Sequence, residues 1–125
     1  MANGVIIPPS LEYEKVSIYE GSNSRVEANR FGNVVTIQIF NVPPSILQNS
    51  TSVNIPVRLR PKRRIDAPLG WVYKSSPGSK PLSGQITDSG VFTGVGYYNN
   101  STGIIELVSD SDGTCFGCIT YVIGI

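Results

Sequence analysis

The residues of this 125-residue chain best suited to chemistry are two cysteines, a run of cations, and aromatics set among short polar side chains. Cys115 and Cys118 form a C-x-x-C, the spacing of redox pairs and of half a metal site. A tetrahedral zinc site needs four ligands, and the chain offers two cysteines and no histidine. A redox pair belongs at a helix N-terminus, whereas residues 114–123 alternate like a strand. Residues three apart on a strand point to opposite faces and sit roughly 10 Å apart, beyond the reach of a disulfide. The expectation is two reduced structural thiols and no metal.

Arg58, Arg60, Lys62, Arg63 and Arg64 hold half of the ten basic residues within seven positions. Arg presents a bidentate fork, so one reading is an anion site for phosphate or a phosphorylated glycan. The competing reading is a solvated loop pairing with the acidic N-terminal region, where Glu12, Glu14, Glu20 and Glu27 gather, on this or a neighbouring subunit. A net charge of +1 favours the subunit contact.

Sugars stack their apolar faces on aromatic rings while their hydroxyls need carboxylate or amide partners. Trp71, Tyr73, Tyr97 and Tyr98 are the aromatic candidates, with Asp88, Asn99, Asn100, Asp110 and Asp112 as polar ones. Catalysis is not expected. Without histidine the usual general base and triad partner are missing. Asp88, Glu106, Asp110 and Asp112 could supply a glycosidase pair, but no spacing among them specifies it. Asp110-Ser111-Asp112-Gly113 has the start of a calcium loop without its remaining ligands, and reads as an Asp/Gly turn. Asn49-Ser50-Thr51, Asn99-Asn100-Ser101 and Asn100-Ser101-Thr102 match the glycosylation sequon and read as chance in Asn/Ser-rich loops.

The elements that must position these groups are strands. An apolar share of 40% with 15% charged residues is a globular composition, and the length suits one domain. Thirteen glycines and nine prolines punctuate frequent turns. The small net charge gives no electrostatic case for nucleic acid or an anionic membrane, and no apolar run is long enough for a spanning helix. Residues 1–13 read as an extended lead-in halted by Pro8-Pro9, without the features of a signal peptide. The expectation is synthesis in a cytoplasm, and a single domain over residues 14–125.

Period-2 alternation predicts strands over 15–20, 24–30, 34–40, 53–59, 70–74, 82–88, 91–97, 104–108 and 115–123. Gly32-Asn33 is a hairpin dipeptide, both residues tolerating positive φ. Pro56 marks an edge or a bulge in the fourth strand. The connection over 41–52 is long enough to cross between sheets. The glycine-spaced run V-F-T-G-V-G-Y from Val91 signals bulges or close backbone approach. About nine short strands with regular turn signals and no helical period predict an all-β, antiparallel β-sandwich, jelly-roll-like, with no substantial helix.

The motifs also carry a resemblance over about four-fifths of the chain. Arg30, Gly32, Asn33, Val34, Val35, Ile37 and Ile39 form one motif, and Ile55, Pro56, Leu59, Arg60 and Pro61 a second. Gly84, Ile86 and Gly90 form a third, and Ile119 and Tyr121 close the chain. This order resembles the C-terminal head domain of receptor-binding, tail-fibre and baseplate proteins of phages that infect Gram-positive bacteria. The resemblance implies a compact β-sandwich in the virion, at the tail tip, forming a homotrimer that binds host cell-wall or surface polysaccharide. Avidity would come from repeated weak sites. It implies no cofactor, no membrane insertion, and contacts with other tail proteins. The alternative is a structural domain of tail or baseplate assembly that binds other virion proteins without recognising saccharide.

Overall fold

The computed structural model describes residues 13–73, 78–108 and 113–123. Strands β1 (Tyr13–Glu20), β2 (Arg25–Phe31) and β3 (Val34–Val42) form an antiparallel meander. β1 takes in Tyr13, the last residue of the expected lead-in; residues 1–12 lie outside the described residues. Val26, Ala28, Val35, Ile37 and Ile39 alternate into the core, as a sheet with one covered face requires. The Gly32-Asn33 turn has positive φ only at Gly32, at 60°. That is the II′ pattern, whose twist matches the strands it joins.

β4 (Ile65–Asp66) and β5 (Leu69–Tyr73) lie on β6 (Ser79–Ile86) in one continuous register. Ile65 faces Ile86, Asp66 faces Gln85, and Leu69 faces Leu82. Between them the Ala67 N–H donates to the Gly84 carbonyl at 2.9 Å. The ladder breaks at Pro68, which has no N–H to give. β7 (Phe92–Asn99), β8 (Ile104–Leu107) and β9 (Gly113–Val122) follow.

The sheet order is β1-β2-β3-β9-β5-β6-β7-β8, with β4 on β6, and every pairing is antiparallel. Both halves of the sheet send side chains into one core, from Val26 and Ile37 to Ile86, Phe92 and Val95. The fold is the all-β, antiparallel sandwich type that the strand spacing predicts. The long crossover between β3 and β4 fills that core with Leu47, Val53, Ile55 and Leu59, all fully buried. It contains one helical turn, α1 (Pro44–Leu47), and a 3-10 turn over Val57–Leu59.

The strand expected over 53–59 is absent. Pro56 cannot donate to a ladder, and Leu59 N–H instead closes a turn onto the Pro56 carbonyl at 2.9 Å. Ile55 is held by a single bond from its N–H to the Gly90 carbonyl at 2.8 Å. The apolar alternation there reports buried anchors of a crossover. β4, directly after the basic turn, is a two-residue strand that the alternation does not mark. The expected loop before Leu82 is also partly strand, because β6 begins at Ser79 and passes through Pro81. Cys115 points inward and Cys118 outward from β9, both as thiols, on opposite faces as period 2 requires.

Candidate functional site

The aromatic candidates divide between the two faces of the sheet. Trp71 on β5 is 4% exposed and belongs to the core. Lys80 of β6 lies directly opposite it, with its ammonium 3.8 Å from the centre of the Tyr97 ring and 5.9 Å from that of Trp71. The Tyr97 hydroxyl donates to Glu106 Oε2 at 2.7 Å, and Asn99 Nδ2 donates to Oε1 at 2.9 Å. These donors, Tyr97 first and then Asn99, hold the Glu106 carboxyl below its ordinary range, aided by the charge of Lys80. Asn99 Oδ1 also accepts from the Ser101 and Thr102 N–H groups. Both ends of its amide are committed to the β7–β8 turn and its neighbour strand.

Two other candidates, Asp88 and Tyr98, sit apart from this cluster. Asp88 is exposed in the β6–β7 turn, at the opposite end of β7 from Tyr97 and Asn99. Tyr73 lies in β5, but its side chain, like Asp110 and Asp112, is outside the described residues. Tyr98 points away from Tyr97, to the outer face, and is 58% exposed.

On that outer face a groove of about 210 Å³ runs between β4 and β8, lined by Asp66, Ser83, Gln85, Gly94 and Ile105 among others. Register explains it. Asp66 faces Gln85 across the β4–β6 pair, and the β6–β7 register slips between Ser83 and Gln85. The slip is taken up at Gly94, whose φ of 65° is left-handed and whose missing Cβ opens onto empty space. At Gly96 the neighbouring strand closes in, and a Cβ there would lie 2.1 Å from the Glu106 carbonyl oxygen. Gly94 thus leaves open the space a side chain would take in the groove, while Gly96 lets β7 and β8 approach closely beside it. Tyr98 faces Ile105 directly, so an aromatic and an aliphatic surface stand together at its edge. The groove offers a carboxylate that accepts, an amide that does both, a hydroxyl, and an apolar wall.

The basic segment is split in use. Glu14 Oε2 accepts from the Arg58 guanidinium, with Nε at 3.2 Å, and Oε1 accepts from Arg30 Nε at 3.3 Å. Arg58 foremost, with Arg30, holds the Glu14 carboxyl below its ordinary range. The expected pairing of acidic N-terminal and basic residues therefore occurs, for Arg58, within one chain. Arg60 donates to the Ile55 carbonyl at 2.7 Å and to Asn54 Oδ1 at 2.8 Å, bracing the crossover from inside its own loop. Lys62, Arg63 and Arg64 are exposed, with no ion pair among the described residues. No cluster of three Cys, Asp or Glu suited to a metal occurs among the described residues.

Sequence reasoning identified Tyr98 but passed over Asp66, Ser83, Gln85 and Ile105. Part of the signal was present. The glycine spacing of β7 marked a close approach, and Ser83 and Gln85 share the outward period of β6. The chain matches no protein-family model and no curated protein sequence.

Proposed function

We propose that this chain is a non-enzymatic adhesion module of a phage tail tip, which binds host surface saccharide through the outer groove. The observation that carries the reading is the pairing of Asp66, Ser83 and Gln85 with the exposed Tyr98–Ile105 surface around a groove left open at Gly94. Hydroxyls of a sugar find charged and amide partners there, while its apolar face finds the Tyr98 ring. The resemblance of the motifs to phage head domains suggests the host-attachment context, and a homotrimer would multiply weak single sites into firm attachment.

The test is titration of the protein with cell-wall polysaccharide from a susceptible host, alongside Asp66→Ala and Tyr98→Ala variants. Binding by wild type that either substitution weakens supports the groove. No binding to any susceptible wall sinks the reading, and release of reducing ends from the polysaccharide overturns its non-enzymatic part. A second reading is an assembly domain of the tail or baseplate. It is favoured by Lys62, Arg63 and Arg64, three consecutive exposed cations suited to an acidic protein surface.

A further inference from the structure

The outer face of β1, β2, β3 and β9 is chemically layered. Tyr13, Phe31, Val34 and Val122 face one another in sequence across the four strands. Their exposures are 63%, 54%, 42% and 67%, so the row is an unbroken apolar band. The next row is polar, and at its centre the Thr36 and Thr120 hydroxyls share a hydrogen bond of 3.1 Å. A third row carries Gln38 and Cys118, which face each other. A fourth is aromatic, with Phe40 edge-on to Phe116 at 5.4 Å and Arg25 over the Phe40 ring at 5.1 Å.

Along β3 and β9 every outward residue from Val34 to Phe40 and from Phe116 to Val122 is uncharged. Charge is confined to the β1–β2 margin and is partly offset there, with Glu27 between Lys15 at 3.5 Å and Arg25 at 3.3 Å. An uncharged centre with aromatic residues and a charged rim is the composition of a protein–protein interface. Exposed apolar bands of this kind mark contact sites.

We propose that this face is where copies of the chain meet, related by an axis that runs along the strands. Under such an axis each row meets its own kind: the apolar band closes on apolar bands, threonines on threonines, phenylalanines on phenylalanines. Because no outward residue along β3 and β9 is charged, no row sets like charges against each other under that axis, and the apolar and aromatic rows each gain by meeting themselves. The proposal rests on the multi-copy reading above and names its surface.

Cys118 provides a reporter, because it sits in the third row and is exposed in the single chain, while Cys115 is buried. The experiment combines light scattering after size exclusion with maleimide labelling, for wild type, Cys118→Ala and Val122→Glu. Val122 is largely exposed, so its replacement leaves folding intact, which circular dichroism checks. The expected result is a wild-type multimer whose Cys118 labels about tenfold or more slowly than in Val122→Glu, as for a site open only when copies separate. Val122→Glu is then a monomer. A multimer whose Cys118 labels as fast as in that variant overturns this surface and leaves the multi-copy reading intact. A wild-type monomer of 13.5 kDa overturns both.

Discussion

The Tyr121 hydroxyl of β9 donates to the Leu59 carbonyl at 2.5 Å, across 62 positions of sequence and inside the core. It is the tie between the last strand and the crossover that replaces the expected fourth strand. Replacing Tyr121 by Phe leaves a buried carbonyl unpaired, and the expected loss is about 1–3 kcal/mol in urea unfolding. Burial also raises the Tyr121 pKa above its ordinary 10.0. A raised value means the tie is intact below pH 10.0 and its stabilisation is lost as pH climbs beyond. Wild type should therefore show an alkaline fall in unfolding midpoint that Tyr121→Phe lacks, and equal alkaline curves for both would refute the assignment.

Acid should act through two carboxylates. Glu14 and Glu106 both have lowered pKa values in the folded state, from the ordinary 4.5. Their stabilisation is present above 4.5 and disappears as pH falls through the lower folded values. Urea midpoints measured near neutrality and again near pH 3 should converge partly in Glu106→Gln, because that variant has no charge there to lose. An unchanged acid dependence in both Glu106→Gln and Glu14→Gln would count against these two groups as the source.

The two β7 glycines should separate by mechanism. Gly96→Ala forces a methyl into the Glu106 carbonyl, so β7 and β8 must part, at an expected cost of about 3 kcal/mol, the upper end for overpacking. Gly94→Ala meets no neighbour and costs only the left-handed backbone, about 1 kcal/mol. Thermal unfolding of the two variants gives the order, and a Gly94 variant less stable than the Gly96 variant would contradict the geometry.

Trp71 and Asp66 should fail in different assays. Trp71→Ala empties a core position and should lower stability by about 3–5 kcal/mol. Asp66→Ala should keep the melting temperature while weakening saccharide binding about tenfold, the loss of one charged hydrogen bond. Binding lost with Trp71→Ala at full stability would return the sugar site to the indole.

The legible part of the fold was the part written in period 2. Val35, Ile37 and Ile39 on β3, and Ile119 and Tyr121 on β9, announce their faces because one side of the sheet is covered and the other is not. The same rule misled at Val53, Ile55 and Leu59, where burial recurs every few residues without a ladder beneath it. β4 was illegible because two residues carry no period, and only its register with β6 makes it a strand. The groove was illegible for a related reason. Asp66 and Ile105 are brought together by a slip in pairing between β6 and β7, which is a property of two strands and of neither alone.

Where β9 sits has a consequence in time. The last strand of the described chain lies between β3 and β5, in the middle of the sheet. As the polypeptide emerges during synthesis, the β1–β2–β3 meander can close from local pairings over residues 13–42, but the ladder on the far side of β3 stays unfilled until β9 is made. Its partner edge on β5 waits equally long. A ribosome that stalls before Gly113 would leave two adjacent unpaired edges beside an unsealed core. Such a nascent chain should be a chaperone client, and it should be released from chaperone only once the final ten-residue strand has been delivered.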